Sequence, residues 1–411
     1  MNFEFILHYV FLAVFILGLT IFLLKRKKNT SVEKVLGYFF YIILYRTKRG
    51  LQFIDNLAKK HYKFFNVMAK IGVVISFGGM IFVSFFLIYN FIMLFIQPPV
   101  QPAFALVLPF PGKGIVFVPP IFWVISIMVL AIFHEGMHGI IARKNKIKLH
   151  SAGFAVASFI VPLLPAAFVE PDDKDLERKK KSKQIEMFSA GPFANIVLFV
   201  VFLGLFLLFD SILLGNSNAY YDPLQNQILS VEGVKFVDYY MKNESPVFAN
   251  DVPLNLSFVE INGKPIFEDG KDNLIEFLDD AKPGDLMSLT AVNGSEYIFP
   301  LAAQPGTNGE RPLLGAQLTY SFAPFSYTGK FASIKLFSVK FLLGLFAWLY
   351  ILNLGVGLFN LLPMGPLDGG RMIKAMYETM FKKGNAVRLW KITSYVFLFM
   401  LLVVFIYPFF L

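Results

Sequence analysis

The chain has no cysteine. Disulfides, thiolate metal ligands and a cysteine nucleophile are therefore excluded, and the redox compartment is left open. Histidine is scarce, at five residues, so an imidazole metal site has few places to be. Charge is thin as well. Asp, Glu, Lys and Arg make up 16% of 411 residues, against ~25% in an ordinary soluble domain. What fills the chain is apolar: 56% hydrophobic residues, including 49 Phe. That balance points to a polytopic α-helical membrane protein. A net charge of +10 would suggest nucleic acid in a soluble protein. In a membrane protein it reads as the Lys/Arg bias of cytosolic loops, and no nucleic-acid partner is expected.

Apolar runs near the ~20 residues of a membrane helix recur along the chain. About six spans are expected, at 5–24, 71–96, 120–143, 187–209, 336–362 and 393–410. The first is followed by KRKK instead of being preceded by it, so it reads as a span and not as a leader. Residues 25–70 hold twelve Lys/Arg against two acidic residues. Within them VLGYFFYIILY, 35–45, is too short to span and is expected to be a re-entrant or interfacial helix. The Pro-rich stretch 98–120, with its PGKG turn, predicts a hairpin. Loops 25–70, 143–186 and 371–391 are basic, which places them in the cytosol and both termini outside. The run DDKDLERKKKSK, 172–183, reads as a solvated loop facing lipid headgroups.

Residues 211–335 differ in kind. They carry 15 Asp/Glu against 8 Lys/Arg, and short β-type runs alternate with turn signals. LSFVEINGKPI and LMSLTAVNGSEYIFPL predict strands, and NLIEFLDDA between them predicts an amphipathic helix. The expectation is an inserted soluble α+β domain, extracytoplasmic by the same topology. Four segments result: 1–119, with the first spans, basic loop and hairpin; 120–210; the inserted domain at 211–335; and 336–411.

The third span contains IMVLAIFHEGMHGIIARKNK, 127–146. His134 and His138 are four apart, which puts both imidazoles on one helix face, one turn apart, where they can share a metal. Glu135 lies roughly 100° around the helix and can reach a metal-held water without being a ligand. Zinc brings that water's pKa toward ~7 and a carboxylate can accept the proton. Such a spacing arises by chance with a probability on the order of 0.002 in a chain of this composition. Ionisable residues inside spans are also rare and usually functional. A catalytic zinc needs a third protein ligand. His8 lies at the wrong end of its span, and His61 and His150 read as loop residues. Asp368, in the Pro/Gly-rich turn after the fifth span, is the only acidic residue between Glu310 and Glu378. It is a ligand candidate, or a cap for the helix that follows, or both.

HEGMH in a span, FSAGPFAN at 188–195 and FNLLPMGPLDGGR at 359–371, in that order, resemble the site-2 protease family of intramembrane zinc metalloproteases. The resemblance covers about 120–209 and 336–385. It implies one zinc ion held by His134, His138 and Asp368, with Glu135 as general base. Asn195 and Asn360 match family asparagines and are candidates for a substrate or oxyanion role, or for helix-to-helix hydrogen bonds. The family places strands and a re-entrant hairpin where 146–171 falls. An edge strand at 149–157 is therefore expected to take up unwound substrate by strand addition. VEINGKPI, NLIEFLDDA and KPGDLMSLTAV resemble a PDZ domain, which would filter substrates or serve as a structural cap. The implied substrates are single-span membrane proteins already cut outside, hydrolysed near the cytosolic face. The implied location is the cell membrane of a prokaryote or archaeon. Two rival readings remain: a catalytically silent membrane scaffold of the same fold, and a metal transporter. The transporter would need ligands across the bilayer, which the other spans lack.

Overall fold

The computed structural model describes residues 3–26, 30–36, 40–96, 104–159, 161–214, 219–224, 227–239, 245–268, 271–304, 311–325 and 331–407. The helices among them are α1 (Phe3–Lys25), α2 (Lys48–Lys60), α3 (Tyr62–Ile96), α4 (Pro120–Lys144), α5 (Asp173–Arg178), α6 (Lys181–Leu214), α7 (Pro246–Ala249), α8 (Asn273–Asp280), α9 (Ala332–Asn360), α10 (Asp368–Met380) and α11 (Lys383–Ile406). Six of them, α1, α3, α4, α6, α9 and α11, are long and apolar enough to cross a membrane. Bulky apolar side chains such as Val74, Phe85 and Phe95 are exposed along α3. A surface of that kind suits lipid and not water. The chain divides into two compact units, residues 1–204 with 345–411, and residues 205–344.

In the first unit, α4 starts with Pro at its first position and ends on Arg143 and Lys144. Both features suit a helix, the proline because its missing N–H is not needed there, the cations because they face the negative dipole end. Beside α4 runs a four-stranded antiparallel sheet. Its strands are β1 (Thr30–Leu36), β2 (Phe40–Arg46), then, after two short strands β3 (Leu106–Leu108) and β4 (Ile115–Phe117), β5 (Leu149–Phe159) and β6 (Val161–Pro171). The order is β1-β2-β5-β6.

Three expectations change here. The run 35–45 is not a re-entrant helix; its described residues belong to β1 and β2. The β-branched and aromatic stretch Tyr41–Tyr45 pairs with β5, Ile43 opposite Val156 and Tyr45 opposite Phe154. Consequently 149–157 is not an edge strand, because β2 and β6 bond to it on either side. Among the described residues the outermost strands of this sheet are β1 and β6. Third, β3 and β4 pair in parallel, so the described part of 98–120 is not a hairpin. Pro109 and Pro111 lack the amide donors that antiparallel pairing next to the turn would use. Instead Trp123 donates its indole N–H to the Val107 carbonyl at 3.0 Å, and Tyr9 donates its hydroxyl to that of Pro109 at 3.2 Å. Residues 97–103 lie outside the described residues.

The core of this unit draws Ile54 from α2, Ile141 from α4, Met187 from α6, Met372 from α10 and Leu401 from α11 around Leu361 and Leu362. The Ser76 hydroxyl donates to the Ser189 carbonyl at 3.1 Å, which ties α3 to α6.

The second unit holds an antiparallel sheet in the order 296–300, 286–291, 257–261, 227–239, 316–324. Phe236, Phe258, Met287 and Phe299 are fully buried in it. The turn after 286–291 passes through Gly294 at φ +81, where a side chain would be strained. The expected amphipathic helix is α8. Asp272 caps it, its carboxylate accepting from the amides of Leu274 at 3.0 Å and Ile275 at 3.1 Å. This unit is α+β.

Candidate active site

His134 and His138 lie one turn apart on α4, with ring centroids 4.8 Å apart. Asp368 is the first residue of α10. Its Oδ2 lies 3.1 Å from Nε2 of His134 and 3.1 Å from Nε2 of His138, and the two Nε2 atoms are 3.2 Å apart. The three donors thus form a nearly equilateral triangle. In tetrahedral zinc, bonds of ~2.0–2.1 Å set ligand atoms about 3.3 Å apart. Among the described residues this is the one group of His, Asp or Glu able to share an ion.

Each imidazole is aimed from behind. His138 donates its Nδ1 proton to the Met187 carbonyl at 2.7 Å, which leaves Nε2 bare toward the triangle. His134 Nδ1 lies 3.1 Å from the Asn195 amide nitrogen. The Asn195 Oδ1 is buried and has no partner among the described residues. Turned over, the same amide places that orphaned oxygen on the Nδ1 proton and again frees Nε2 for an ion. The donor set and its second layer fit zinc.

The room for an ion comes from α6. That helix starts at Lys181, not near 187, so GPFAN lies inside it and does not open it, with Pro192 internal. A Cβ on Gly191 would sit 2.2 Å from His138 Nε2 and 2.6 Å from His134 Nε2. Only a glycine leaves the triangle open. Asn195 is in turn pressed by α9, where a Cβ on Gly357 would come within 3.1 Å of its own Cβ.

Asp368 reaches the site because residues 361–367 are not helical. Leu361 and Leu362 are fully buried there, and the Gly365 amide donates to the Ser394 hydroxyl at 3.0 Å. Irregular backbone at such depth is tolerated when it is packed inside protein. Cβ atoms on Gly369 and Gly370 would strike the carbonyls of Leu361 and Met364 at 2.2 and 2.3 Å, so the Gly-Gly pair lets α10 return onto this loop. Asp368 does not cap α10. Leu367 occupies the cap position, and no side chain bonds the first turn.

Glu135 is half-buried beside the triangle. Its Oε2 accepts the Val169 amide of edge strand β6 at 3.2 Å. Glu135, His138 and Asp368 line a cavity of about 210 Å³, together with Arg371 and apolar side chains including Leu149, Phe168 and Phe188. Asn360 is not brought to the triangle. Its amide donates to the Val356 carbonyl of its own helix at 3.1 Å. His8, His61 and His150 take no part.

Sequence reasoning missed the Met187 carbonyl, the Val169 amide and the space at Gly191. The first two are backbone atoms, which carry no residue-type signature. Gly191 was inside a recognised segment, but a glycine's absent side chain has no chemistry to advertise. A further missed feature is a buried ion pair one residue from Met187. Lys144 donates to Glu186 at 2.8 Å, and Lys183 donates to the other oxygen at 2.7 Å.

Residues 122–404 match the pattern of peptidase family M50. The chain is also similar to an uncharacterized protein of Methanocaldococcus jannaschii, 26% identical over 391 residues, which are 91% of this chain and 87% of that protein.

Proposed function

The chain belongs to peptidase family M50, the site-2 protease family, and from that premise we propose that it is a zinc metalloendopeptidase that cuts membrane-spanning substrates. The observation that carries this reading is the 3.1–3.2 Å triangle of two imidazole nitrogens and one carboxylate oxygen with Glu135 beside it. His134, His138 and Asp368 would hold the ion. When bound, zinc supplies Lewis acidity, lowering the pKa of water toward ~7 and polarising the scissile carbonyl.

The chain's own residues supply the rest. Glu135 takes the proton of the attacking water at its carboxylate and returns it to the departing amide nitrogen. The Val169 amide aims that carboxylate. Met187 and Asn195 fix the imidazole tautomers, so no reorganisation of the ligands is needed as charge develops.

A membrane helix must unwind before its amides can be hydrolysed. We take β6 as the strand that receives the unwound stretch, because among the described residues it is the outermost strand nearest Glu135. Single-span proteins already cut outside are the proposed substrates. The inserted domain at 211–335, read as PDZ-like and extracytoplasmic, would screen them. The active site would face the cytosol, as the basic loops suggest.

The test is cleavage of a single-span reporter by purified protein in liposomes. Cleavage should stop on chelation and return with one equivalent of zinc. Cleavage that persists in a metal-free preparation would remove the zinc reading.

A further inference from the structure

Both asparagines that the sequence offered for the oxyanion are committed elsewhere. Asn195 is engaged with His134 and Asn360 with the Val356 carbonyl. A metalloprotease site nonetheless gains from a second electrophile where negative charge develops on the substrate carbonyl oxygen. The active-site cavity contains one strong side-chain donor that is not engaged by an acid. This is Arg371, one turn after Asp368 on α10. Among the described residues no carboxylate lies within ion-pair reach of it. Its guanidinium instead rests over the Phe188 ring, 5.7 Å from the centroid.

Arg371 also lines a second cleft of about 600 Å³, which shares Pro171 and Phe188 with the active-site cavity. The guanidinium therefore stands at the junction of the two spaces. A peptide group bound against Glu135 and the triangle would share the space of about 210 Å³ that Arg371 also lines. Arg371 is exposed on this wall, so its guanidinium is hydrated and unpaired at rest, and its fixed positive charge is attracted to a developing oxyanion. The planar fork can donate two parallel N–H bonds to that oxygen.

We infer that Arg371 is the second electrophile of this site. The inference rests on the protease reading above. As the water oxygen bonds to the carbonyl carbon, the C=O π pair moves onto the carbonyl oxygen, and the guanidinium N–H groups donate to it. The proton released from the water goes to Glu135. When the tetrahedral species collapses, the C–N bond breaks, the electron pair returns to the C=O bond, and Glu135 delivers its proton to the amine nitrogen. Arg371 gives up no proton; its hydrogen bonds strengthen and then relax.

The experiment compares wild type, Arg371→Ala, Arg371→Gln, Arg371→Lys and Glu135→Gln in liposomes. It reads kcat and KM on a single-span reporter, zinc per chain, and inhibition by a phosphinic peptide, whose anionic oxygens stand in for the oxyanion. Arg371→Ala and Arg371→Gln should lose kcat by about 10²-fold, with KM within about twofold and zinc unchanged. Phosphinic-peptide affinity should fall in parallel, and Arg371→Lys should recover part of both. A raised KM with kcat intact, or unchanged phosphinic-peptide binding, would overturn the assignment while leaving the protease standing. Equal turnover by wild type and Glu135→Gln would overturn both.

Discussion

The Glu135 carboxylate accepts a hydrogen bond from the Val169 backbone amide at 3.2 Å. The acid that the sequence marks as the base is thus held by the outermost described strand beside it. Replacing Val169 by proline deletes only that donor, and an edge strand tolerates proline where its N–H faces away from the sheet. Turnover of a reporter should fall by at least tenfold, with zinc content unchanged. Val169→Ala, which keeps the amide, should stay within about threefold. Equal rates for the two variants would mean that the amide does not aim the base.

Gly191→Ala should separate metal binding from folding. Alanine favours a helix interior over glycine by about 1 kcal/mol, so α6 should not be weakened. The new methyl group, however, occupies the space between the two Nε2 atoms. Zinc per chain should drop to near zero while the chain still folds, because the atoms that the methyl displaces are the ends of two side chains. Full zinc occupancy would show that the triangle opens elsewhere.

Asn195 should act through His134. Asn195→Ala leaves the Nδ1 proton of a buried imidazole without an acceptor, and zinc affinity should fall about 10- to 100-fold. Asn195→Asp supplies only acceptors and should retain most of the affinity. Competition with a chromogenic chelator measures both. If alanine and aspartate behave alike, the asparagine serves packing between α6 and α9 instead.

The Lys144–Glu186 pair should behave as a buried ion pair. The Lys144 side chain is 1% exposed. Lys144→Met leaves Glu186 with Lys183 alone and should cost roughly 3 kcal/mol, because a desolvated charge loses its partner. Adding Glu186→Leu should restore more than half of that loss. Unfolding in denaturing detergent measures each step. A single variant as stable as wild type would show that water already reaches the pair.

What could be read from the sequence divides along a physical line. That His134, His138 and Asp368 come together was legible because a shared metal would demand particular residue types, two of them at a fixed helical interval. Strands and helix α8 in the second unit were legible because glycine, proline and aspartate mark turns and caps by local chemistry. The run 35–45 was misread because a short, uniformly apolar stretch has no period to separate helix from strand. Which strand forms the sheet edge depended on β2 meeting β5 across more than a hundred residues, and no local pattern encodes that. Asn360 matched a motif, yet its amide turns back on its own helix. Arg371 stood one turn from Asp368, but only the folded chain places it on the same cavity as Glu135.

Turnover of a single-span reporter by wild type and by Glu135→Gln, with zinc measured in both, tests the central claim most directly. Wild type should release a new fragment and Glu135→Gln should release less than about a hundredth as much, each with one zinc per chain. Equal release by the two proteins would contradict Glu135 as the base and, with it, the assignment of this cavity as the site of hydrolysis.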